Sequence, residues 1–256
     1  MLRIGTVPFL VARPLTAGLA QRDDVKLIEA LPSKLARMLR NGDVDVALAS
    51  SILSLEPDNF TFWYDGPVIA ADGPVRSVLL LMRPGCEPQQ VQRLALDPAS
   101  RTGRALAQII LRDHYGVDPQ SQECSPNEAI SALDPPFDAV QIIGDLALKL
   151  ASENPERKIL DLGETWKALT RLPFVYAGWI ARPGFDPAEA AHVLRGAAVE
   201  GMAQRQTLAA QGARHLGLSK SFLNRYLCQD LSYNLPSNLV RSSLAEFQAR
   251  LGLPVT

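Results

Sequence analysis

The chain has 256 residues, 47% of them apolar and 21% charged, with a formal net charge of −1. These values exclude a largely disordered chain and leave room for one large domain or two lobes of about 100–150 residues. The near-neutral charge speaks against nucleic acid or an acidic membrane surface as the main partner and leaves a small ligand.

In chain order, the first strand pattern, LRIG at 2–5, runs into GTVPFLVARPLTAGL. There Pro8 and Pro14 restrict the backbone, Pro14 suits a helix start, and Arg13 stands beside it facing a possible cleft; a rigid strand-to-helix turn accounts for the same residues. After the strand pattern at 25–30, Pro32 opens an amphipathic helix with Leu35, Met38 and Leu39 on one face and Ser33 as its expected cap. The apolar run at 44–50 ends in Ser50 and Ser51, which serve as caps or as donors to a ligand. Gly73-Pro74 then precedes Arg76 and Ser77 at the entrance of a strand over 77–82.

The run LALDPASRTGRAL at 94–106 joins a strand, predicted at 93–97, to a helix predicted to reach about Tyr115 and to close with Gly116. Ser100 or Thr102 is the expected cap. The first backbone N–H groups of that helix have no internal acceptor and carry the positive end of the dipole, so they suit a carboxylate or a phosphate, and Arg101 offers a planar bidentate donor. Plain capping with a solvated arginine fits equally. Ser125-Pro126-Asn127-Glu128 has capping-box spacing and opens a segment with Ile130 and Leu133 on one face. The strand pattern at 137–144 ends in Gly144-Asp145, where the aspartate caps the following helix or orients a hydroxyl. A last strong strand is predicted over 173–181.

Strands alternating with helices give an α/β fold with sheets covered on both faces. An internal echo divides it into two lobes of similar plan. Pro32 precedes the strand-opening Asp45 by thirteen residues, and Pro126 precedes the strand-opening Asp138 by twelve. A second echo, RPGCEP at 83–88 and RPGFDP at 182–187, is read as the pair of crossings between lobes, with the second lobe over 84–178 inserted into a first lobe of 1–83 plus 179–256.

Other chemistries lack their residues. The sequence has no G-x-G-x-x-G, Walker A, H-E-x-x-H or G-x-S-x-G pattern. His114, His192 and His215 fall in helical patterns as partly exposed residues, and Cys86, Cys124 and Cys228 are far apart, without a C-x-x-C pair, and read as reduced core thiols. No metal or cofactor is expected. The opening residues lack the apolar stretch of a secretory signal, and no window is long enough to span a membrane, which points to a cytoplasmic protein. Oligomeric state is open.

The same loops carry a family likeness. IGTVPFLVARPL near the start, DGPVRSV at 72–78, SRT at 100–102, YGV at 115–117, IGD at 143–145 and DLGETWKALTRLPFVYAGW at 161–179 together resemble chorismate dehydratases of the futalosine route to menaquinone. The resemblance implies a two-lobed fold like type 2 periplasmic binding proteins, with two mixed sheets joined by a two-strand hinge. It implies cofactor-free loss of water from chorismate, a dicarboxylate, giving 3-[(1-carboxyvinyl)oxy]benzoate. Carried onto this chain, it makes Ser77 and Asp145 the catalytic candidates, and Val11, Arg13, Ser50, Ser51, Ser100, Arg101, Thr102, Gly103 and Gly144 the substrate-binding ones. The chain departs from the family pattern at Val11, usually asparagine, and at Gly103, often serine. The rival readings are a non-catalytic receptor for a small carboxylate and the sister enzyme that releases 1,4-dihydroxy-6-naphthoate.

Overall fold

The computed structural model describes residues 1–131, 136–153 and 158–253. Among them, twelve strands follow in chain order: β1 (Leu2–Thr6), β2 (Val25–Glu29), β3 (Val46–Ser50), β4 (Thr61–Phe62), β5 (Val68–Ala71), β6 (Val78–Met82), β7 (Arg93–Leu96), β8 (Gln120–Glu123), β9 (Ala139–Ile143), β10 (Ile159–Asp161), β11 (Phe174–Ala181) and β12 (Leu231–Ser232). The α-helices are α1 (Arg13–Thr16), α2 (Pro32–Asn41), α3 (Thr102–Asp113), α4 (Pro126–Ser131), α5 (Gly144–Glu153), α6 (Leu162–Thr170), α7 (Ala191–Ala203), α8 (Arg205–Leu216), α9 (Lys220–Arg225) and α10 (Ser237–Arg250).

The strands form two mixed sheets, ordered β12-β5-β11-β3-β1-β2, with β4 beside β11, and β10-β6-β9-β7-β8. Within these, the five strands β5-β11-β3-β1-β2 match β10-β6-β9-β7-β8 position for position. In each set the third, fourth and fifth strands run parallel and the second is antiparallel to the third. The central strands are buried almost throughout, as VALA in β3, VLLLM in β6 and AVQI in β9, because helices cover both faces of each sheet.

The second echo in the sequence, the pair of RPG turns, also reports this equivalence and does not mark the crossings. Asp45 accepts the N–H of Arg3 at 3.0 Å and pairs with the guanidinium groups of Arg3 and Arg182. Asp138 accepts the N–H groups of Gln92 and Arg93, each at 3.0 Å, and pairs with Arg83. Each RPG turn therefore follows the antiparallel strand of its own sheet and anchors it to the neighbouring strand. The expected lobe boundaries move accordingly. β6 belongs to the second sheet and β11, from Phe174, to the first, so the chain crosses at 72–77 and at 171–173 and not after Arg83 and before Trp179. These two short connections are the hinge.

Helix ends follow their local chemistry with some corrections. α2 has Pro32 in its first turn and closes on Gly42 at φ 71°, while Ser33 does not cap it. Ser125 bonds to the Glu128 carboxylate, side chain to side chain, at 2.7 Å at the start of α4. Leu133 lies outside the described residues. His114, His192 and His215 are all exposed, Cys86 is buried, and Cys124 and Cys228 are half-buried and free.

Candidate active site

A cavity of about 90 Å³ lies between the lobes, smaller than the usual small-molecule site. The loops beyond the carboxyl ends of parallel strands build it, as expected for such sheets. The first lobe contributes Val7, Phe9 and Val11 after β1, Ser50 at the end of β3, and Tyr176 and Ala177 of β11. Opposite them stand Ser100, Thr102 and Gly103 after β7, and Gly144 after β9. Val75 and Ser77 enter from the hinge.

Seven of the residues singled out in the sequence therefore line one cavity: Val11, Ser50, Ser77, Ser100, Thr102, Gly103 and Gly144. The other four are placed elsewhere. Arg13 is exposed at the start of α1. Arg101 forms an ion pair with Glu56 of the first lobe and lines a separate groove with it. Ser51 is fully buried, its hydroxyl 3.4 Å from that of Thr102. Asp145 accepts the backbone N–H of Leu10 at 3.2 Å across the lobe seam, and its carboxylate is not part of the cavity wall. Capping also differs from expectation, since α3 has no side-chain cap. The Thr102 hydroxyl instead accepts the N–H of Ile52 at 3.2 Å, another bond between lobes.

Ser77 is held by an unusual turn. Its N–H donates to the carbonyl of Val75 at 2.7 Å, and Arg76 just before it has φ 58°, a left-handed conformation costly for a side-chain-bearing residue. Asp161, at the N-terminus of α6, holds this turn by accepting the N–H groups of Val75 at 3.0 Å and Arg76 at 2.7 Å, as well as those of Gly163 and Glu164. On the other side, the carbonyl of Ser77 accepts the N–H of Gly144 at 2.8 Å. The Ser77 hydroxyl is thus fixed at a junction of the hinge with β9.

Ser100 is supported from below by Gln141, a fully buried glutamine in the middle of β9. Its amide nitrogen donates to the Ser100 hydroxyl at 3.3 Å, and its oxygen accepts the N–H of Asp97 at the same distance. A Cβ on Gly103 would stand 2.5 Å from that hydroxyl and 2.8 Å from the Gln141 nitrogen, so glycine is what lets Ser100 approach the start of α3. Sequence reading passed over Gln141, Asp161 and Tyr176. A polar residue inside an apolar strand, as in VQII, was the one available signal.

Among the described residues, no lysine or arginine lines the cavity. Positive potential comes from the first turns of α3 and α5, whose initial N–H groups lack helical acceptors. Burial pushes the carboxyls of Asp97, Asp145 and Asp161 above their ordinary range, against backbone N–H bonds that draw them down. The Tyr176 phenol, buried with no hydrogen-bond partner among the described residues, is held neutral well above its usual range by desolvation. The arrangement suits an organic anion gripped by hydroxyls and amides in a mostly apolar cleft.

Comparisons with known proteins agree with this geometry. The family described as menaquinone biosynthesis matches the chain over residues 2–252. A chorismate dehydratase of Thermus thermophilus is 30% identical over 270 aligned positions, covering 96% of each chain. Among solved structures, the alkanesulfonate-binding protein SsuA of Xanthomonas axonopodis pv. citri, bound to MOPS, superposes with a TM-score of 0.70 at 19% identity over 99% of this chain and 94% of its own. A Candida albicans protein described as having the generic periplasmic-binding-protein fold gives 0.70 at 13% identity over 100% and 91%. The fold is therefore periplasmic-binding-protein-like, and among the described residues no helix is long and apolar enough to cross a membrane.

Proposed function

The chain belongs to the menaquinone-biosynthesis family, and from that premise we propose that it is a chorismate dehydratase, converting chorismate to 3-[(1-carboxyvinyl)oxy]benzoate and water. The observation that carries the reading is the cavity between the lobes that gathers Ser77, Ser100, Thr102 and the first turns of α3 and α5. One carboxylate of the substrate is assigned to the start of α3, beside Ser100 and Thr102. The apolar wall of Val7, Phe9, Val11 and Ile143 takes the ring.

Chorismate loses its C4 hydroxyl and a hydrogen at C3, and the ring becomes aromatic. The driving force lies in the substrate, so orientation and exclusion of water are the protein's main tasks. In this reading the substrate's own enolpyruvyl carboxylate, adjacent to C3, takes the proton. The Ser77 hydroxyl donates a hydrogen bond to the departing hydroxyl. Asp145 serves as a latch, its carboxylate holding the loop of Leu10 from across the seam.

Incubation with chorismate, followed by ultraviolet absorbance, should reveal the aromatic product. Ser77→Ala should lower kcat/KM by about 100-fold, the scale of removing one donor to a developing negative charge. Asp145→Asn should raise KM with a smaller change in kcat. Tight binding of chorismate by the wild-type chain without product would replace this reading with that of a carboxylate receptor, and full kcat/KM in Ser77→Ala would remove Ser77 from the chemistry.

A further inference from the structure

We propose that Tyr226, from the C-terminal part of the chain, is a positioning residue that fixes the Ser77 hydroxyl for donation to the substrate; this rests on the role given to Ser77 above. Tyr226 is 1% exposed, and its hydroxyl donates to the Ser77 oxygen at 2.9 Å across 149 residues of sequence. A serine hydroxyl has one hydrogen and two lone pairs. With one lone pair filled by Tyr226, rotation about the Cβ–Oγ bond is restrained and the serine's own hydrogen is free for an acceptor. The other partner of that hydroxyl is the Val75 carbonyl at 3.3 Å, long for an O–H···O bond. A guest oxygen in the cavity competes well with so loose a contact.

The backbone that carries Tyr226 points the same way. Residues Tyr226–Asp230 form a π-helical turn, a rare local structure that recurs at functional sites. It presents two residues to the Ser77 turn at once: Tyr226 reaches Ser77, and Asp230 forms an ion pair with Arg76, the residue with φ 58°. Two consecutive residues of a strained turn are thus tied to one irregular turn from a distant segment. Packing would not require the phenol, because phenylalanine fills the same buried space without a hydroxyl to desolvate. Burial keeps the phenol protonated, well above its usual range, so Tyr226 remains a donor and exchanges no proton.

The test is a double-mutant cycle on Tyr226→Phe and Ser77→Ala with chorismate as substrate. Tyr226→Phe should lower kcat about tenfold, the worth of roughly one hydrogen bond, with KM changed less than about twofold. In the Ser77→Ala background the same substitution should have no further effect on kcat. A purely structural role would lower kcat by the same factor in both backgrounds, and that result, or full kcat in Tyr226→Phe, would overturn the proposal. If the wild-type chain formed no aromatic product, the reading of the whole site would fail and the role of Tyr226 with it; an active wild type with an unaffected Tyr226→Phe would remove Tyr226 alone.

Discussion

Arg101 separates two accounts of ligand capture. In the sequence it is a bidentate donor placed beside a helix start, whereas the structure pairs it with Glu56 across the lobes. Both side chains are partly buried, at 26% and 20% exposure, and Glu56 also meets Arg40 at 3.1 Å, which keeps its bond to Asp58 in any Glu56 variant. If Arg101 acts by closing the cleft, Arg101→Ala and Glu56→Ala each remove the same contact. A pair of this exposure is worth about 1 kcal/mol. Because apparent affinity scales with the fraction of molecules able to close, that loss weakens chorismate binding about fivefold. Titration calorimetry on the two single variants and the double should give three similar dissociation constants, and small-angle scattering should show less compaction at subsaturating ligand. A loss of about 100-fold or more in Arg101→Ala with wild-type affinity in Glu56→Ala would refute the latch and return the guanidinium to the ligand.

Two further substitutions test the frame. Gly144 has φ 68°, and a Cβ there would stand 3.0 Å from the Phe9 ring of the other lobe. Gly144→Ala should therefore cost about 1 kcal/mol in backbone strain, lowering Tm by roughly 2–4 °C, and raise KM because the contact with Phe9 arises between the lobes; an unchanged KM would mean that Phe9 yields freely. Asp45 is held down from 3.8 to about 2 by hydrogen bonds from Arg3, with Arg182 assisting. A depressed folded-state pKa gives stability that is present above pH 3.8 and lost as pH falls toward about 2. Asp45→Asn should accordingly cost about 2 kcal/mol in denaturant unfolding at pH 7, with the difference vanishing near pH 2; a constant difference across that window would sink the linkage.

Much of this protein follows from its local sequence. Apolar runs such as VALA, VLLL, VQII and VYAGWIA are strands because a sheet covered on both faces buries nearly every residue of such a run. The loops after them hold the ligand-facing residues because open sheets with parallel strands expose helix starts there. Ser100, Thr102 and Gly144 could be picked out on that ground alone, whereas Ser77, at the entrance of β6, is marked only by the family likeness. β8, with the sequence QSQE, could not, since all four residues are exposed and its place depends on backbone pairing with β7. The two RPG turns show the same limit: their repetition is visible in the sequence, but that they tie Asp45 and Asp138 within equivalent sheets depends on which strands lie side by side. Tyr226 lies 149 residues from Ser77, and Arg101 finds its carboxylate in the other lobe. Local periodicity reports which residues are buried and in what element, because burial acts on each segment's own pattern. The partners of a hydroxyl or a guanidinium are chosen by chain crossings and lobe closure, which bring distant segments together and leave no mark on the sequence around either residue.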